Sequence, residues 1–260
     1  MKPHRKQRIG VYLLPSALTI GNMLLGFYAI ISGLRGAFGD DPGEFQKAAL
    51  LLFAAGIVDT LDGRIARLTG TDSEFGKEYD SLADLLTFGV APALLVYLWG
   101  LADLGRIGWL VPLFFVVCTA TRLARFNVQT KSLDSRYFVG LPAPAAAGTV
   151  CSILFLAPDS EWRQILVPIF TVTLVVVASL MVSTFRYPSF KQVELRRRRS
   201  YRTILPIAAV ILVAAVRPSA FFLAAAISYT LSGPITSLRG RLNARRPEHQ
   251  QTEDTPESTP

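Results

Sequence analysis

Long apolar stretches divided by short charged loops constrain this chain before any single residue does. A helix needs about 20 mostly apolar residues to cross the hydrocarbon of a bilayer. Stretches of that kind fall at about 11–34, 46–68, 81–101, 107–126, 143–158, 164–185, 203–217 and 219–236. Charged residues are 18% of the 260, against roughly 25% in soluble domains, and mean hydropathy is +0.38. The charges gather between the apolar runs, whereas a soluble core would scatter them along helix faces. The expected fold is therefore all-α, a polytopic integral membrane bundle of about eight transmembrane helices. The first run is too long for a signal-peptide core and has no small-residue cleavage site after it, so it reads as a retained span.

The net charge of +8 points first to nucleic acid, but the distribution argues otherwise. Lys2, Arg5, Lys6 and Arg8 precede the first run, and Arg122, Arg125, Lys131 and Arg136 follow the fourth. Arg196 to Arg199 follow the sixth, and Arg239, Arg241, Arg245 and Arg246 open the C-terminal tail. The intervening loops are acidic or poor in charge, as with Asp40, Asp41 and Glu44. Alternation of this kind serves orientation and anionic headgroups. It puts both termini on the cytoplasmic side, makes membrane lipids the expected partners and leaves no role for nucleic acid. Cys118 and Cys151 sit singly in apolar runs and His4 and His249 in polar tails, which gives neither a disulfide framework nor a zinc site.

Against that background the segment "VDTLDGRIARLTGTDSEFGKEYDSLAD", Val58 to Asp84, is costly. A carboxylate at the bilayer centre costs roughly 2.5–3.5 kcal/mol even on lenient scales. Four are kept here: Asp59, Asp62, Asp80 and Asp84. On a helix Asp59, Asp62, Gly63, Ala66 and Arg67 share one face, at i, i+3, i+4, i+7 and i+8. Gly76, Asp80 and Asp84 share another, at i, i+4 and i+8. Thr71, Asp72 or Ser73 is available to cap the second helix.

Four anions so close repel, and a lone arginine does not neutralise them. Hard oxygen ligands without His or Cys suit Mg²⁺ or Mn²⁺. Four carboxylates suffice for two ions, the arrangement used in phosphoryl chemistry. Small residues on the same faces would let a flat nucleotide base lie against the backbone, or equally serve tight helix packing. A cation pathway is the alternative of another class, a cation-coupled transporter. No inverted duplication of the acidic segment supports it.

These residues fill the pattern D-x-x-D-G-x-x-A-R, eight residues, G-x-x-x-D-x-x-x-D without departure. The chain thereby resembles the CDP-alcohol phosphatidyltransferase family. The resemblance spans about residues 11–185, a six-helix catalytic core. Outside it, charge and composition give a cytoplasmic N-tail at 1–10, a basic cytoplasmic loop at 186–202, two additional transmembrane helices at 203–236 and a disordered tail at 237–260. The resemblance implies transfer of the phosphatidyl group of CDP-diacylglycerol to an alcohol, with CMP released.

By the same resemblance, Asp59, Asp62, Asp80 and Asp84 hold two metal ions per site and Asp84 is also the general base. Gly63, Ala66 and Gly76 line the cytidine pocket, Arg67 steadies the diphosphate, and the enzyme is a homodimer. Asn22, at i+3 from Thr19, faces either the nucleotide or a neighbouring helix. "LTIGNMLLGFYAI", "DSLADLLTFGVAPA", "TRLARFNVQT" and "GLPAPAAAG" resemble the branch that uses L-serine as acceptor. Serine needs a cation for its carboxylate, which Arg122 and Arg125 would supply. Glycerol 3-phosphate, inositol and choline stay open as other acceptors.

Overall fold

The structure, a computed structural model, describes residues 9–39, 41, 43–69, 73–129, 137–157, 163–188 and 216–244. Helix α1 runs Ile9–Phe38 and α2 Gly43–Thr69. A third rod is continuous from α3, Glu74–Asp84, through a π-helical turn, Leu85–Val90, into α4, Ala91–Trp99. Next come α5, Arg106–Gln129, α6, Ala143–Leu156, α7, Arg163–Val182, and α8, Pro218–Ala244. This is an all-α polytopic membrane protein.

Among the described residues five helices are long and apolar enough to cross a bilayer: Ala17–Phe38, Glu74–Trp99, Arg106–Val128, Arg163–Val182 and Pro218–Ser237. Helix α2 has the length, and its acidic end sets it apart from those five; α6 is shorter, at 14 residues. The expected seventh span falls largely outside the described residues, as do the run Arg196 to Arg199 and residues 245–260. Two boundaries are corrected. The first helix starts at Ile9, inside the expected tail. The last continues to Ala244, so 237–244 is helical where a disordered tail was expected.

Helix α1 lies along α2 and crosses the third rod, α5 packs on α7, and α6 is sandwiched between α2 and α8. The core is mostly apolar: Trp99 is tilted over Phe170 at 5.0 Å, and Phe88, Phe115, Leu154 and Leu174 are buried, with a few hydroxyls such as Thr119 and Ser152 among them. Where α1 crosses the π turn there is no room for a side chain. A Cβ on Gly26 would run into Thr87, whose hydroxyl donates to the Asn22 carbonyl at 3.2 Å.

A two-stranded antiparallel ribbon, β1 (Tyr137–Val139) with β2 (Arg186–Pro188), closes the end that carries the acids. Periodicity gave no hint of strands this short. Gly140 follows at φ +83, a conformation that favours glycine, and its N–H donates to the Phe185 carbonyl at 2.8 Å.

Candidate active site

The acidic site is assembled by α2 and α3. Ser73 caps α3, accepting the Gly76 N–H at 2.9 Å, so this helix starts just early enough to carry Asp80 and Asp84 on one face. The π turn begins directly after Asp84; wide turns of that kind recur at functional sites. One carboxylate oxygen from each of Asp59, Asp80 and Asp84 lies within 4.8 Å of the other two.

Asp62 is handled differently. It is buried, and one oxygen accepts the Thr19 hydroxyl at 2.5 Å. The other is buried with no hydrogen-bond partner among the described residues. Its charge still acts on Asp59 and Asp80, so it stands at the edge of the same cluster. The sequence pattern presents four equivalent ligands; the fold gathers three and tethers the fourth to α1.

Asn22, also on α1, donates from Nδ2 to Asp84 at 3.3 Å, and its own amide oxygen is buried and unpartnered among the described residues. It therefore reaches the site through Asp84. Leaving buried oxygens unmatched costs about 1–3 kcal/mol apiece. A hard cation offers Asp62 a partner that the described protein groups do not supply. The donor set fits such an ion, being carboxylate oxygen with no His or Cys.

Of the other expected residues, Gly63 lines the cleft beside Asp59, Asp80 and Asp84. Gly76 is exposed in the first turn of α3, where a Cβ would press on the Ser73 hydroxyl at 3.0 Å. The missing side chain there fits the cap. Ala66 and Arg67 stand on α2, with side chains outside what the structure describes.

The two arginines of α5 part company. Arg122 is half-buried and its charge acts on Asp84 and Asp59. Arg125 turns away and donates to the carbonyls of Val139 at 2.7 Å, Val182 at 3.0 Å and Ser183 at 3.2 Å. It ties β1 and the end of α7 to α5. A guanidinium spent on three carbonyls has little left for a ligand, which weighs against the expected acceptor-binding role of Arg125.

The cluster opens into a cleft of about 890 Å³. Thr60 and Arg64 of α2, Phe126 of α5, Pro144 and Gly148 of α6 and Tyr229 of α8 line it. None was singled out from the sequence as a site residue, although Phe126, Pro144 and Gly148 lie inside the stretches TRLARFNVQT and GLPAPAAAG. Thr60 and Arg64 lie inside the motif at its variable positions, so a pattern of fixed letters passes over them. Tyr229 lies in a segment with no motif at all.

A helical membrane bundle that gathers carboxylates at one end of a cleft this size defines a membrane enzyme working on phosphate groups at a lipid surface. The chain belongs to the CDP-alcohol phosphatidyltransferase family, whose sequence model matches residues 12–182. It is a phosphotransferase of phospholipid synthesis.

Among curated relatives it is similar to a CDP-diacylglycerol–serine O-phosphatidyltransferase of Helicobacter pylori. The two are 42% identical over 191 residues, covering 71% of this chain and 75% of the relative. A Bacillus subtilis protein of the same name is 36% identical over 179 residues, 69% of this chain and 92% of the relative. One from Saccharomyces cerevisiae is 39% identical over 145 residues, 53% of this chain and 52% of the relative.

Proposed function

We propose that the protein transfers the phosphatidyl group of CDP-diacylglycerol to the hydroxyl of L-serine, forming phosphatidylserine and CMP. The observation that carries this reading is the convergence of Asp59, Asp80 and Asp84 at the head of a lipid-sized cleft. The names of the relatives support serine as the acceptor.

The chemistry is one displacement at phosphorus. The serine oxygen forms a bond to the phosphorus that bears diacylglycerol, and the bond from that phosphorus to the CMP oxygen breaks. Asp84 takes the hydroxyl proton as the bond forms, because a free alkoxide is not available at neutral pH. Asn22 holds Asp84 in place for that transfer. Arg122, within electrostatic reach of Asp84, receives the serine carboxylate.

Asp59, Asp80 and Asp84, with Asp62 at the edge, would hold two divalent cations, Mg²⁺ or Mn²⁺. When bound, these supply positive charge to the diphosphate and the leaving CMP. Gly63, Ala66 and Gly76 line the cytidine pocket, and Arg67 steadies the diphosphate. Basic loops and tails put the site and both termini on the cytoplasmic side. The homodimer implied by the resemblance completes this reading, and a mass measurement in nanodiscs tests it.

An acceptor screen tests the function. Purified protein, CDP-diacylglycerol and Mg²⁺ or Mn²⁺ are incubated with serine, glycerol 3-phosphate, inositol or choline, and CMP release is followed. Serine alone should support release. Release with another alcohol and not with serine would reassign the acceptor.

A further inference from the structure

The last helix lies outside the stretch matched by the family, yet it forms one side of the cleft. Phe222, Ala225, Ala226 and Tyr229 all line it. Their spacing of i, i+3, i+4 and i+7 is one face of α8. Tyr229 stands near the acids, where its hydroxyl and the charge of Arg122 interact. Phe222 stands at the far end, stacked on Phe53 of α2 at 4.5 Å.

Phe53 precedes Asp59 by six residues, so the cleft descends about 9 Å below the carboxylates at 1.5 Å per residue. Phe222 precedes Tyr229 by seven, about 10 Å on the same measure. The two helices thus frame a slot of matching depth. A smaller cavity of about 70 Å³ shares Phe53 and Gly148 with it.

From this we infer that the α8 face Phe222, Ala225, Ala226 and Tyr229, with Gly148 opposite, forms the seat of one acyl chain of the lipid donor. The inference rests on the donor proposed above. A diphosphate held at the carboxylates leaves its diacylglycerol portion to continue along the cleft. Ahead of it lie two aromatic rings, two alanines and a glycine. Beyond the Tyr229 and Ser152 hydroxyls that lining is apolar, and each buried methylene is worth about 0.8 kcal/mol there. The alanines and the glycine make the room, so side-chain size at these positions sets which chains fit.

Filling the slot from either wall tests this. A Cβ on Gly148 meets nothing within 4 Å, so Gly148→Leu projects into open space without disturbing the backbone. Ala226→Leu fills the same slot from α8. The full-length protein and each variant are assayed in nanodiscs for kcat/KM with long-chain and short-chain CDP-diacylglycerol. KM for serine and the thermal midpoint serve as controls.

Both variants should lose about tenfold more kcat/KM with the long-chain donor than with the short-chain donor, with KM for serine little changed. Equal losses on the two donors, or none, would overturn the seat. Should Ala226→Leu fail to fold, Gly148→Leu decides alone. A wild-type protein that releases no CMP from either donor would sink the parent reading instead, and the seat with it.

Discussion

The two walls of the cleft are built by opposite rules. On the α2 and α3 side, identity matters: three carboxylates meet within 4.8 Å, and two α1 side chains, Thr19 and Asn22, bond to Asp62 and Asp84. On the α8 side, size matters: the alanines and aromatic rings of α8, with Gly148 of α6, define a space, and among the described residues no ionic side chain of α8 lines it. The contrast follows from what each wall would face. Charge developing at phosphorus must be matched by oriented groups, while an apolar chain needs only a dry surface of the right shape. Substitutions on the first wall should change chemistry, and those on the second should change which lipid fits or how well the helix docks.

The largest effect belongs to Asp84. Asp84→Asn preserves shape and the contact with Asn22 but removes the base, so turnover should fall by about 10³-fold or more. Binding of the CDP-lipid, measured separately by equilibrium titration, should weaken only as far as the loss of one charged ligand accounts for, about 10- to 100-fold, so the remaining loss falls on turnover. Near-normal serine-dependent CMP release by the variant would remove Asp84 from that role. Asp59→Asn should act earlier, weakening metal-dependent nucleotide binding by about 10- to 100-fold, the loss of one charged ligand. If nucleotide affinity measured across a Mn²⁺ titration matched wild type, the triad would not be a metal site.

The first wall was legible in the sequence because its letters are spaced by helix geometry. Asp59, Asp62, Gly63, Ala66 and Arg67, then Gly76, Asp80 and Asp84, declare two faces, and burying carboxylates in a membrane demands a use for them. The sequence did not tell Asp62 from the others. That distinction arises where α1 crosses α2 and puts Thr19 against Asp62, a contact between residues 43 apart. The α8 wall was invisible for a different reason. Phe222, Ala225, Ala226 and Tyr229 are ordinary residues for a membrane span, and only packing against α2 and α6 shows which face meets the cleft. Pattern reports chemistry well and shape poorly.

The arginines of α5 sharpen the comparison at one place. Arg122 and Arg125 are three residues apart, and from the sequence they are alike. Arg122→Ala should raise KM for serine by about 10- to 100-fold while the thermal midpoint holds, since a charge-assisted bond to the acceptor is lost. Arg125→Ala should do the reverse. It strips the charged partner from three carbonyls, a hydrogen bond to a charged group being worth about 1.5–3 kcal/mol, and should lower the midpoint by roughly 5 °C. Arg125→Lys should recover only part of that, because a single ammonium does not reproduce the fork. A shift in serine KM for Arg125→Ala without a change in midpoint would return Arg125 to the acceptor site.

The smallest effect separates two ways of docking α8. Thr230 shares a hydroxyl contact with Thr149 of α6 at 3.0 Å, and its carbonyl accepts the Tyr187 hydroxyl at 3.1 Å. Thr230→Val removes the first contact and leaves the second, and Thr149 keeps its bond to the Ala145 carbonyl at 2.9 Å. No buried donor is orphaned, so the loss should be about 0.6 kcal/mol, the average for an interhelical hydrogen bond in a membrane. Gly233, one turn along, tests shape: a Cβ there would enter the ring of Tyr187, which is fully buried. Gly233→Ala should cost about 1–3 kcal/mol by overpacking. Thermal unfolding of both variants in the same nanodiscs measures the difference. A larger loss for Thr230→Val than for Gly233→Ala would mean that hydroxyl chemistry, and not fit, holds α8 against the bundle, and that the second wall obeys the rule of the first.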